Sequence, residues 1–95
     1  GWFIGAFDRS VHKTDACEVS YTTNKKGEKC SPHYHKIATE ITLFIRGRVH
    51  LNGLIFESGD IVILEPNEIC DIEYLEDTES VVIKLPGALN DKYII

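Results

Sequence analysis

The stretch His33–Gly47, HYHKIATEITLFIRG, decides how the rest of this 95-residue sequence is interpreted. Two histidines lie two residues apart, and Glu40 follows five residues after the second. On a β-strand, residues i and i+2 project from the same face, so the imidazoles of His33 and His35 can reach one cation. Imidazole nitrogens and a carboxylate oxygen are common ligands of divalent transition metals. The spacing therefore predicts a metal site.

The offset of five between His35 and Glu40 places a condition on the backbone. On an unbroken strand this odd offset would put Glu40 on the opposite face from the histidines. The three side chains can converge only if residues 36–39 form a bulge or a turn between two strands, and the sequence KIAT is compatible with that. The alternative interpretation is an edge strand that carries two exposed histidines and no metal.

Residues 40–46 alternate cleanly between two faces. One face is purely aliphatic and consists of Ile41, Leu43 and Ile45. If Glu40 points into a barrel, this aliphatic face points outward and needs a covering layer, most simply a second subunit. The pattern thus indicates a homodimer. The alternative is that the aliphatic face forms the protein's own core while Glu40 is solvated.

The whole chain has the pattern of an all-β protein. Short runs rich in Val, Ile, Thr, Phe and Tyr are separated by Gly, Pro, Asn and Asp, which favours many short strands in a sandwich or barrel. Asn52-Gly53 is the clearest hairpin turn, because both residues tolerate positive φ. The length indicates a single domain over residues 1–95. We predict strands over residues 3–7, 18–23, 29–35, 40–46, 48–51, 54–56, 60–64, 69–75 and 80–85.

Composition excludes several classes of function. The net charge is -5 and the only basic pair is Lys25-Lys26, so a basic face for nucleic acid is not expected. No apolar run approaches the ~18 residues that span a bilayer, so we expect no membrane partner. The three cysteines have no CxxC spacing, which favours free thiols and a cytoplasmic location.

The histidine segment resembles the first motif of the cupin superfamily. In that motif two histidines flank one residue, a glutamate follows after three or four residues, and a glycine follows after six more. His33, His35, Glu40 and Gly47 match every one of these positions. The run from Gly59 to Pro66 is similar to the start of the second cupin motif, with one extra residue, and the two motifs with the region between them cover about half of the chain.

The resemblance implies a jelly-roll β-barrel, also called a double-stranded β-helix, with a metal in its mouth. The metal would be held by His33, His35, Glu40 and a fourth group, and the subunits would form a homodimer. In the second motif a histidine usually stands five residues after the proline, where this chain has Asp71. Counting therefore favours Asp71 as the fourth ligand. Strand alternation instead points Cys70 inward, and a three-ligand site closed by water is the third option.

The implied cofactor is a divalent transition metal (Fe, Mn, Ni or Zn), and the implied partner is a small molecule bound in the barrel. Two histidines and one carboxylate with open positions suit dioxygenase or isomerase chemistry. Some cupins instead use a histidine base without metal, which here would be His33 or His35, and Tyr74, Lys84 and Arg46 are interpreted as structural or solvated. The alternatives are a non-catalytic module that binds or senses a sugar or organic acid, and a structural β-domain whose histidines are incidental.

Overall fold

The protein is composed entirely of β-strands joined by turns. The computed structural model describes all 95 residues. Eleven strands follow one another along the chain: β1 (Trp2–Gly5), β2 (His12–Lys13), β3 (Glu18–Asn24), β4 (His33–Tyr34), β5 (Thr39–Arg46), β6 (Arg48–Leu51), β7 (Leu54–Glu57), β8 (Ile61–Leu64), β9 (Ile72–Tyr74), β10 (Thr78–Leu85) and β11 (Tyr93–Ile94). The predicted all-β class is confirmed. No helix is long and apolar enough to cross a membrane.

The strands form two layers. A six-stranded sheet has the order β2-β1-β3-β10-β5-β8, and a three-stranded sheet has the order β7-β6-β9. β4 and β11 form a separate pair. Isolated bridges join His33 of β4 to Cys70, which precedes β9, and Lys29, which precedes β4, to Glu73 of β9. Non-consecutive strands are neighbours in the large sheet, as in Greek-key jelly rolls. The ladders do not join into one closed ring.

The hydrophobic core lies between the two layers. Its members come from both sheets, because strand alternation turns one side of each strand toward the other sheet. The core consists of Phe44, Val49, Leu51, Val62, Leu64, Cys70, Ile72 and Tyr74. The aliphatic face of β5 lies on the opposite, outer side, where Leu43 and Ile45 are 38% and 42% exposed. Glu40 and the aliphatic face therefore point in opposite directions, with the carboxylate inward.

Most predicted strands are present with small shifts at their ends, but the predicted strand over residues 29–35 is interrupted. Only His33–Tyr34 is a strand there, preceded by the isolated bridge at Lys29. Pro32 lies in the gap, and it has no N–H to donate to a ladder. β2 and β11 were not predicted, because each is two residues long and is defined only by its pairing partner. The Asn52-Gly53 turn is confirmed, since both residues have positive φ.

Candidate metal centre

The backbone bends between His35 and Glu40, as convergence of the three side chains requires. β4 ends at Tyr34 and β5 begins at Thr39, and the residues between them form a bend. His33 and His35 are buried, and the Glu40 side chain is 14% exposed. His35 Nε2 lies 2.7 Å from Glu40 Oε2. The predicted turn is therefore present, and it brings Glu40 to the face that carries the histidines.

His35 is held between two acceptors. Its Nδ1 lies 2.7 Å from the backbone oxygen of Asp91, which can only accept, so Nδ1 carries the proton and donates. Its Nε2 faces the Glu40 carboxylate, which also accepts. In the absence of metal this contact needs a proton between Nε2 and the carboxylate oxygen. Accordingly the hydrogen bond to Glu40 raises the pKa of His35 above its ordinary value, against the opposing effect of burial.

Glu40 is the anionic partner in this contact. Burial alone would raise its pKa, but the hydrogen bond and charge of His35, together with the ammonium of Lys84, outweigh that effect. The pKa of Glu40 therefore lies below its usual value. The two shifts, in opposite directions, both favour an imidazolium–carboxylate pair between His35 and Glu40.

His33 is oriented in the same way as His35. Its Nδ1 lies 2.9 Å from the backbone oxygen of Ser31 and donates to it, which leaves Nε2 free within the cavity that both histidines line. The two rings are nearly perpendicular, with centroids 5.8 Å apart. Histidines that bind metals commonly donate their other ring N–H to a backbone carbonyl or carboxylate. Both imidazoles have this arrangement.

These residues fit a metal in donor type and orientation, although they do not surround a common point as they stand. No group of three or more His, Cys, Asp or Glu side chains is arranged to hold an ion. Two imidazoles that bind one metal through Nε2 at about 2.1 Å have centroids roughly 5 Å apart, and the observed separation of 5.8 Å is somewhat larger. A metal would also replace the His35–Glu40 hydrogen bond with two metal bonds.

Of the two candidates for a fourth ligand, Cys70 lines the cavity and Asp71 does not. The Asp71 side chain is exposed, and its backbone N–H donates to Asn52 Oδ1 at 2.9 Å on the outside of the sheet. The structure thus turns Cys70 inward and Asp71, which motif counting favoured, outward, while the identity of the fourth ligand stays a prediction. The reason is register: Cys70 is bridged to His33, and alternation then turns Asp71 outward.

The Cys70 thiol stays protonated in this environment. Burial is the main cause that raises its pKa to about 12, and the charge of Glu40 adds to the effect. A thiol in this state is a weak ligand until a metal displaces its proton. The cavity thus contains three candidate metal ligands, His33, His35 and Glu40, together with the thiol of Cys70.

The candidate site opens into a cavity of about 390 Å³ between the two sheets. This volume is within the range of small-molecule sites. The wall formed by β3, β5 and β10 carries four hydroxyls, from Ser20, Thr22, Thr42 and Ser80. Lys84 and Tyr74 also line the cavity, whereas the Arg46 side chain is 70% exposed and pairs with Glu79 instead. Lys84 lies opposite Glu40 in the β5–β10 register.

Sequence reasoning missed Asp91, which contacts the site from the other end of the chain. Its carboxylate and its carbonyl both bind the segment around His35, 53 to 56 residues earlier. No local pattern around Asn90-Asp91-Lys92 marks the residue as functional. Only the close approach of the C-terminal segment to β4 reveals it.

No family model and no curated protein sequence matches the chain. Solved structures do match it. A conserved Klebsiella pneumoniae protein with a double-stranded β-helix domain is 22% identical, with a TM-score of 0.76 over 88% of this chain and 74% of that one. The Streptomyces nucleoside dehydratase Pac13 is 13% identical, with a TM-score of 0.76 over 90% of this chain and 73% of that one.

A cupin protein from Bacteroides fragilis is also similar. It is 20% identical, with a TM-score of 0.65 over 82% of this chain and 72% of the other. At these identities the likeness concerns the fold. The predicted double-stranded β-helix is confirmed.

Proposed function

Because this chain has the double-stranded β-helix fold of the cupin superfamily, we propose that it is a metal-dependent cupin that acts on a small molecule. His33, His35 and Glu40 hold a divalent transition metal (Fe, Mn, Ni or Zn), and Cys70 lies beside it. The observation that carries the proposal is the shared orientation of the histidines: both donate Nδ1–H to backbone carbonyls, which leaves Nε2 of His33 unpaired and Nε2 of His35 facing Glu40.

The bound metal would act as a Lewis acid or bind oxygen donors at its open positions, which suits dioxygenase or isomerase chemistry. The chain's own residues hold the ligand in place. The hydroxyls of the cavity wall can donate to and accept from a hydroxylated substrate, and the core side chains exclude water around it. Lys84 offsets part of the charge of Glu40. The similar fold of a nucleoside dehydratase supports small-molecule chemistry at such a site.

Metal reconstitution tests this proposal. Protein stripped with a chelator and reloaded with Fe(II), Mn(II), Ni(II) or Zn(II) in turn is expected to take up one ion per chain. At a hundredfold excess over the dissociation constant, binding should stabilise the fold by about 2.7 kcal/mol. The double variant His33→Ala/His35→Ala should lose both uptake and stabilisation, as measured by elemental analysis and thermal unfolding.

The chain provides a matched control for this experiment. His12 and His50 are exposed and lie outside the cavity, so His12→Ala/His50→Ala should bind metal as the wild type does. Equal uptake by both double variants would refute the proposal. In Co(II)-loaded protein, a thiolate charge-transfer band that disappears in Cys70→Ala would add Cys70 to the ligand set. Metal uptake without turnover in oxygen-consumption and isomerase screens would favour the non-catalytic binding module.

We also propose that the protein is a homodimer that pairs through the outer face of the large sheet. Aliphatic residues lie side by side there, since Ile41 faces Ile63 and Leu43 faces Ile61 in the β5–β8 register. Ile61 and Ile63 are 60% and 54% exposed although they belong to one continuous apolar surface. Such surfaces on globular proteins mark interaction sites. A second copy presents the same flat apolar face and so covers it without unpaired charges.

A charge placed in this surface should separate the subunits. We expect Ile63→Lys to convert the dimer to a monomer in sedimentation or light-scattering measurements, because the new ammonium would be buried in the interface. Leu54→Lys is the control, since Leu54 is equally exposed but lies on β7 in the other sheet. A wild-type protein that stays monomeric at high concentration would contradict the proposal.

The free thiols of all three cysteines are consistent with a reducing, cytoplasmic location.

A further inference from the structure

Asp91, near the end of the chain, binds the segment after β4 through both its side chain and its backbone. It is 2% exposed, and its carboxylate accepts hydrogen bonds from three consecutive backbone N–H groups. Lys36 N lies 3.1 Å from Oδ1, and Ile37 N and Ala38 N lie 3.0 Å from Oδ2. Its backbone oxygen accepts the Nδ1–H of His35 at 2.7 Å. One residue thus contacts a candidate ligand and the turn that follows it.

This turn determines whether the ligands can converge. Residues 36–38 connect His35 to the start of β5. On an unbroken strand Glu40 would lie on the face opposite to His35, and the bend in these residues brings it to the same side. Three backbone N–H groups in a turn repel one another unless an acceptor lies among them, and the Asp91 carboxylate supplies it. Consistent with this, the N–H donors hold the pKa of Asp91 below its usual value although burial, the largest effect, opposes them.

The C-terminal segment is itself fixed to the histidine strand. Tyr93 pairs with Tyr34 and stacks on it with ring centroids 5.5 Å apart. Ile94 pairs with His33, and Ile95 N donates to Pro32 O at 3.1 Å. These contacts place Asp91 against the turn and keep it there. The segment and the ligand strand therefore form one hydrogen-bonded unit.

We propose that Asp91 is a positioning residue of the metal centre. Its carboxylate stabilises the turn that places Glu40 beside the histidines, and its backbone carbonyl orients the His35 ring. The proposal rests on the proposed metal-binding function. It requires coupling in both directions. If the contacts of Asp91 with the turn strengthen metal binding, bound metal must stabilise the ordered turn by the same free energy. Hydrogen-bond partners of metal-binding histidines typically change metal affinity by 10- to 100-fold.

Metal titration of Asp91→Asn tests the role directly. The amide keeps one acceptor oxygen but turns an NH₂ toward backbone donors, so the turn should lose its shape. We expect at least a tenfold weaker affinity for Zn(II) or Mn(II) by calorimetry, and a changed Mn(II) paramagnetic resonance spectrum in the fraction that binds. Asp60→Asn is the matched control: Asp60 also accepts a backbone N–H, from Glu57 at 2.8 Å, but in the turn between β7 and β8.

The outcomes separate this proposal from the one on which it rests. Wild-type protein that binds no metal would overturn both. Metal binding by the wild type with unchanged affinity in folded Asp91→Asn would overturn the role of Asp91 alone. If Asp91→Asn does not fold, amide hydrogen exchange of the wild type takes its place. Metal should then increase protection of the Lys36, Ile37 and Ala38 amides more than that of the Asp60 turn, and equal changes at both turns would overturn the proposal.

Discussion

Alanine in place of Gly47 is expected to lower the free energy of unfolding by about 3–5 kcal/mol. Gly47 joins β5 to β6 at φ 108°, a conformation that side chains rarely adopt. A Cβ there would also lie 2.7 Å from the backbone oxygen of Asp77 and would collide with the Thr78 hydroxyl, which belongs to a buried residue. The expected loss combines backbone strain with overpacking. Urea denaturation with linear extrapolation measures it.

Gly53→Ala separates the two causes. Gly53 also has positive φ, at 84°, but a Cβ there would meet nothing within 4 Å. This variant should therefore lose only the strain contribution, about 1–2 kcal/mol. If Gly47→Ala were no more destabilised than Gly53→Ala, the close approach of residues 77–78 would not matter for stability.

Phe44→Ala is expected to be the most damaging substitution in the core, at about 3–5 kcal/mol. Phe44 lies on β5 between the two layers, is 1% exposed and stacks on Phe56 with ring centroids 6.3 Å apart. The removed ring would leave a cavity between the two sheets that the surrounding side chains can fill only in part. Because Phe44 also lines the candidate site, the variant should bind small ligands less selectively. Chemical denaturation gives the loss of stability.

The control for this substitution is Leu54→Ala. Leu54 is 62% exposed on β7, so removing its side chain should cost no more than about 0.5 kcal/mol. Similar losses for the two variants would contradict the position of the core between the sheets.

The alternation of residues 40–46 shows how far sequence reasoning reaches. It predicts that Glu40 and the aliphatic residues point in opposite directions, and the structure has this arrangement because pleating imposes a period of two on any strand. The offset of five between His35 and Glu40 predicts a turn, which is also present. Neither inference needs knowledge of the neighbouring strands.

Predictions that depended on neighbouring strands were weaker. The choice between Cys70 and Asp71 required the register of residues 70–74 against the histidine strand, and a slip of one residue reverses the answer. The bridge between His33 and Cys70 sets that register. Counting from Pro66 favoured Asp71, but the extra residue between Gly59 and Pro66 makes such counting uncertain by one position.

The sequence by itself determined the all-β class, the opposite directions of Glu40 and the aliphatic face, and the need for a turn before Glu40. These are local properties, set by the preference of each residue and by the twofold period of a strand. Only the tertiary structure decided that Cys70 faces the cavity, that Lys84 lies beside Glu40, and that Asp91 holds the turn after His35. These depend on contacts between segments up to 56 residues apart, whose register and docking are set by packing of the whole fold.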